Sequence, residues 1–142
     1  MRRYFRLLAV PAVALAAAVL PSAPAWAGSP HFVDGTVTVS RAGDTLTVSG
    51  KEAGLGDESQ IHIVATAEAA CLNPGQNFPQ AANKETLGAG ADVPVQNGKA
   101  YFSLDLTAVF QPPCVPPMSA VFGDVTVTDA TNGVTATVPG VF

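Results

Sequence analysis

Few side chains in this sequence can do chemistry: two histidines, two cysteines and eleven acids make up most of the set. A hydrolytic triad needs a Ser or Cys nucleophile, a His base and an orienting acid. His31 falls near the start of the exported part of the chain and His62 falls mid-strand with outward parity, and no G-x-S-x-G elbow occurs. Metal ligation fails on spacing, because there is no C-x-x-C, no H-x-x-x-H and no EF-hand repeat. Asp57, Glu58 and Asp124 are the acids that would have to share a loop end to hold a hard cation; solvated loop charge is the competing account. Glycoside hydrolysis needs paired carboxylates in a cleft with aromatics for the sugar to stack on. The Phe and Tyr residues here fall mostly in strands or at strand ends. The residues therefore nominate no catalytic group, no metal ligand and no cofactor.

The cysteines are more informative. Cys71 stands in Ala70-Cys71-Leu72-Asn73-Pro74-Gly75 and Cys114 in Gln111-Pro112-Pro113-Cys114-Val115-Pro116-Pro117, each a Pro-rich, strand-breaking segment beside strand-like sequence. The chain opens with Met1-Arg2-Arg3-Tyr4-Phe5-Arg6, an apolar run from Leu7 to Leu20, and Ala25-Trp26-Ala27. A basic start, an apolar middle and a small-residue A-x-A site make a secretory signal helix cleaved after Ala27. A retained anchor is the rival, but Pro11 and Pro21 flank an apolar core shorter than the roughly 20 residues a span needs. Two cysteines in an exported chain predict one disulfide, Cys71–Cys114. The reading is thus 1–27 signal peptide, 28–35 leader and 36–142 a single domain, secreted and without a stable membrane anchor.

Charge narrows the partners. Arg2, Arg3 and Arg6 leave with the signal, so Arg41, Lys51, Lys84 and Lys99 face eleven acids, a net charge of −7. An acidic surface repels phosphate backbones and anionic lipid, which argues against nucleic acid.

The elements that position these residues are strands. Thr36–Ser40 and Thr45–Gly50 alternate apolar with hydroxyl residues around the turn Arg41-Ala42-Gly43-Asp44. Lys51–Glu58 reads as a loop. Ser59–Ala69 alternates with Ile61, Ile63, Ala65, Ala67 and Ala69 on one face and delivers Cys71. Lys84–Leu87 is a short strand, Gly88-Ala89-Gly90 a break, and Ala91–Val95 an edge strand because Pro94 has no N–H for a ladder. Asn97-Gly98 accepts the positive φ angles of a type I′ turn. Lys99–Val109 follows, with Ala100, Phe102, Leu104, Leu106 and Ala108 inward. In Met118–Asp129 the parity changes across Gly123, which predicts a bulge or a switch of sheet. Val134–Val138 is the last strand. Seven or eight short strands with turns between them predict an all-β, Ig-like two-sheet sandwich; a closed barrel is the alternative.

The signal, the A-C-L-N-P-G loop with P-Q-A-A-N-K, the V-Q-N-G-K-A turn and V-T-V-T-D resemble small secreted β-sandwich proteins of high-GC Gram-positive bacteria. That resemblance spans the mature chain and implies export and the fold, with no chemistry attached. Leu46–Gly50, Ala70–Pro74, Asn97–Ala100 and Val134–Phe142 also resemble stretches of neocarzinostatin-type apoproteins, acidic Ig-like carriers of an enediyne chromophore. That family has two local disulfides where this chain has one long-range pair, so only the fold idea carries over.

The leading expectation is a secreted, non-enzymatic sandwich with a structural or binding role. The alternatives are a small-molecule carrier of the chromoprotein type, and a secreted hydrolase or protease inhibitor. The candidate binding loop follows Cys71: Leu72, Asn73, Gln76, Asn77, Phe78, Gln80 and Asn83. Its polar, unpatterned composition is what folding explains least. The partner expected there is a protein, the cell envelope or a small molecule.

Overall fold

The computed structural model describes residues 28–75 and 83–142. Eight strands run through them: β1 (His31–Phe32), β2 (Thr38–Ala42), β3 (Thr45–Ala53), β4 (Gln60–Leu72), β5 (Lys84–Pro94), β6 (Lys99–Thr107), β7 (Ser119–Asp129) and β8 (Val134–Val138). They form two antiparallel sheets of four strands each, a β-sandwich. In the first sheet β3 is central. β6 pairs along one side of it, and β1 and β2 pair end to end along the other. The second sheet has the order β5-β4-β7-β8.

Period-two alternation builds this core. Ile61, Ile63, Ala65, Ala67 and Ala69 of β4 are buried, as are Ala100, Phe102, Leu104 and Leu106 of β6, with Ala108 just beyond its end. Leu46 and Val48 from β3 and Val125 and Val127 from β7 complete the layer. Fully burying one such aliphatic side chain contributes about 1.5–3 kcal/mol. The core therefore outweighs any single tether. Threonines line the outer faces, where Thr45 meets Thr107 and Thr47 donates to Asp105 across the β3–β6 pair.

Several elements differ from the sequence expectation. The strand expected from Thr36 starts at Thr38, as β2, because the Thr36 amide and hydroxyl both donate to the Val33 carbonyl and turn the chain. Residues 28–35, read as a leader, contribute β1, and Phe32 packs edge-on against Phe102 with ring centres 5.8 Å apart. β3 continues through Lys51–Ala53, read as loop, because β6 and β1 offer it partners there. The stretch split at Gly88-Ala89-Gly90 is one strand, β5, paired with β4 without interruption. Gly90 has a packing role: a Cβ there would stand 3.1 Å from the His62 imidazole. The parity change at Gly123 is a bulge and not a switch of sheet, since the β4–β7 register skips between Ala67 and Ala69.

Asn97 and Gly98 take φ values of 53° and 70°, the pair a type I′ turn needs. The strands they join lie in different sheets, with β5 on β4 and β6 on β3. The turn is therefore a corner of the sandwich and not the tip of an in-sheet hairpin.

Candidate functional site

The sandwich has two chemically distinct ends. At the first, β4 delivers Cys71 and the β6–β7 connection delivers Cys114; their sulfurs are bonded and their Cα atoms stand 5.7 Å apart. Phe110 is buried beneath this end and half-buried Met118 packs against the core, so these two plug it, while Leu72 is half-buried on the other face of β4. Val109, Val115 and Val141 point the other way and are 63, 54 and 81% exposed. The connection is pinned by the Ala108 amide donating to the Asp44 carbonyl and the Val109 amide donating to a Glu85 carboxylate oxygen. The C-terminal Phe142 closes the same end, exchanging two backbone hydrogen bonds with Phe122 while Arg41 donates to its carbonyl. The Arg41 guanidinium also lies 4.9 Å from the centre of the Phe122 ring. Beside the β7 bulge, a shallow hollow of about 240 Å³ is floored by Ala69, Ala70, Val121 and Phe122 and bordered by Val141.

Of the loop residues nominated by sequence, Leu72 ends β4 half-buried, Asn73 is exposed and Asn83 is half-buried just before β5. Gln76, Asn77, Phe78 and Gln80 lie outside the described residues.

The opposite end holds a group that the sequence reading passed over. Glu52 sits on β3 two residues beyond Gly50, on the inward face with Leu46 and Val48. Asp129 sits on β7 two residues beyond Val127, again inward. Both side chains are fully buried. Asp129 is satisfied locally: Oδ1 accepts from the Thr131 and Asn132 amides and Oδ2 from the Asn132 side-chain amide, which also donates to Glu58. These bonds shape the β7–β8 turn. Glu52 is different, because neither of its oxygens receives a hydrogen bond from a donor group.

Burial, followed by the nearby Asp129 and Glu58 charges, pushes the Glu52 carboxyl up from 4.5 to about 8. Two carboxylates cannot hydrogen-bond to each other. A protonated Glu52 can donate to Asp129, and that bond favours its neutral form. Each sheet thus turns one acid into this end of the core, and burial favours the neutral form of Glu52.

His62 is exposed on the outer face of β4, with Nδ1 2.7 Å from Asp92 Oδ1 on β5. Among the described residues no serine hydroxyl is hydrogen-bonded to it, so the two form a cross-strand pair on the surface. Asp57, Glu58 and Asp124 do not gather. Glu58 bonds Asn132 at the acid end, whereas Asp124 accepts from the Gly140 amide beside the bulge. Among the described residues no group of three or more His, Cys, Asp or Glu is arranged to hold a metal ion.

Glu52 and Asp129 were legible as a parity signal, each continuing an inward apolar stripe by one more step of two. No protein-family model, curated protein or solved structure matches the chain.

Proposed function

We propose that the chain is an exported, non-catalytic binding protein that engages a protein or cell-envelope partner through its disulfide-tied end. The observation that carries this reading is a filled interior combined with apolar residues turned outward at one end. Leu46, Val48, Ile63, Ala65, Phe122 and Val125 are each 0% exposed between the sheets, whereas Val109, Val115 and Val141 are more than half exposed around Cys71–Cys114. Exposed apolar side chains held on a tethered scaffold favour association, because covering them removes apolar area from water at little ordering cost. Export is supported by the N-terminal charge and hydropathy pattern, and the disulfide is compatible with an extracellular protein. A carrier of the chromoprotein type would keep its ligand in a cleft, and the open groove of about 470 Å³ between the His31–Val37 segment and β8 is where that alternative would place it.

The test is co-sedimentation with envelope fragments, surface proteins retained, from the cell that makes the protein. The wild type should sediment with them, and a variant carrying Val109→Asp, Val115→Asp and Val141→Asp should be lost by on the order of tenfold or more, since three exposed apolar contacts are removed together. Equal sedimentation of the two, or none for the wild type, would overturn the reading. Native mass spectrometry of protein taken from its own medium should give the polypeptide mass alone. A co-purifying small molecule would move the assignment to the carrier.

A further inference from the structure

A sheet edge is a row of free N–H and C=O groups, and native proteins blunt such rows with charge, proline, bulges or brevity. Three of the edges here follow that rule. β2 is five residues long and carries Arg41. β5 carries Lys84, Glu85 and Asp92, ends in Pro94 and packs beside β6 at the Asn97–Gly98 corner. β6 begins with Lys99 and includes Asp105.

β8 does not follow it. Val134-Thr135-Ala136-Thr137-Val138 has no charge, no proline and no glycine, and among the described residues it is paired on one side only, to β7. Its inward residues Val134, Ala136 and Val138 are half-buried and not sealed. They form one wall of an open groove of about 470 Å³ whose other wall is the His31–Val37 segment. The second sheet is therefore open on this side of the sandwich.

The sequence of β8 reads the same in both directions about Ala136. An antiparallel pair of identical strands related by a two-fold axis sets residue i opposite residue j and j opposite i. A palindrome meets that condition with like opposite like. We propose that β8 pairs antiparallel with β8 of a second copy of this chain, the two-fold axis passing at Ala136, so that two four-stranded sheets join into one of eight.

In this register Val134 faces Val138 of the second copy on the inner side, over the groove, and Thr135 faces its Thr137 on the outer side. Apolar and Thr–Thr cross-strand pairs both stabilise antiparallel neighbours. The same chemistry already operates within one copy, where the Thr128 and Thr135 hydroxyls are 3.3 Å apart.

Charge selects the same edge. Residues 28–142 hold four basic side chains against eleven acids, a formal −7, so copies repel in general. No Asp, Glu, Lys, Arg or His occurs from Ala130 to Phe142, and β8 lies within that run. Of the groove walls, only His31 and Asp34 can carry charge, and both are on the wall opposite β8. Two-fold closure also uses up both free edges, which stops further strand addition.

Sedimentation equilibrium across a concentration series tests this directly. The wild type should be a monomer–dimer system. Thr135 and Thr137 are exposed, so Thr135→Lys/Thr137→Lys and Thr135→Glu/Thr137→Glu double variants preserve the core. Each sets like charges opposite one another twice across the axis and should weaken the dimer on the order of tenfold or more. An equimolar mixture of the two should dimerise again, because Lys then faces Glu. A monomeric wild type at every concentration, variants that dimerise like the wild type, or a mixture that stays monomeric would each overturn the proposal. Hydrogen exchange on the wild type alone supplies a second readout: β8 amides should exchange more slowly as concentration rises, and rates independent of concentration would overturn it.

Discussion

Glu52 has a strongly perturbed ionisation, and the consequence is a reversed pH dependence. Its carboxyl is raised from 4.5 to about 8 in the folded state. The folded chain therefore holds a proton there that the unfolded chain has already released. The stabilisation is fully present below pH 4.5 and is lost as pH rises through about 8, at up to about 1.4 kcal/mol per pH unit within that window. The carboxylates that usually drive acid denaturation act in the opposite sense, so this contribution should appear as loss of stability as pH rises from 4.5 to about 8, with no further loss from this group above that. Denaturant unfolding between pH 4.5 and 9 measures it. Glu52→Gln keeps the shape, removes the titration and offers an N–H to Asp129. It is expected to flatten the profile and to raise stability above pH 8 by about 1–3 kcal/mol, the scale of leaving a buried polar group unsatisfied. A variant that loses stability between pH 4.5 and 8 as steeply as the wild type would show that the acid pair is not the cause.

The elements were readable wherever the alternation was unbroken, and misread where a glycine served packing. β4, β6 and β8 followed from period two alone, because each inward residue meets the opposite sheet. Gly50 ended the second strand in the sequence reading, yet in β3 it is the inward residue that makes room for a ring. A Cβ there would lie 2.6 Å from Phe102 Cζ and 3.1 Å from Val37 Cγ2. Stopping at Gly50 hid Glu52, and with it half of the acid pair. Gly90 misled in the same way in β5, where the sequence does not reveal that His62 of β4 covers it, whereas a Cβ at Gly88 would meet open space. The disulfide was legible because two cysteines allow one intramolecular pairing. The outward set of the apolar residues near it was not, because irregular segments have no period that separates inside from outside. Gly50→Ala should destabilise the fold by about 1–3 kcal/mol through overpacking. Adding Phe102→Leu in the same chain should recover part of that loss, giving a combined effect smaller than the sum, which chemical denaturation of the three variants checks.

On the scale of the whole molecule, one covalent tether reinforces a core that already connects both sheets. Reducing Cys71–Cys114, 43 residues apart, should lower the unfolding free energy by about 4 kcal/mol in the chain-entropy model. Native domains have about 5–15 kcal/mol to lose, so the reduced protein should stay folded in water but unfold at a markedly lower denaturant concentration. Unfolding curves with and without reductant test this, and coincident midpoints would mean that the tether leaves the unfolded state unconstrained. The bridge also sets the covalent topology. It turns the polypeptide into a closed ring with two tails: β1 to β4 lead into the ring at Cys71, β5 and β6 lie within it, and β7 and β8 leave from Cys114. Each sheet holds one ring strand and three tail strands. A single cut of the backbone anywhere between the two cysteines opens the ring without releasing a fragment, whereas a cut in either tail divides the molecule. In a protease-rich surrounding, the stretch from Leu72 to Pro113 can therefore be nicked once and the protein still travels as one piece.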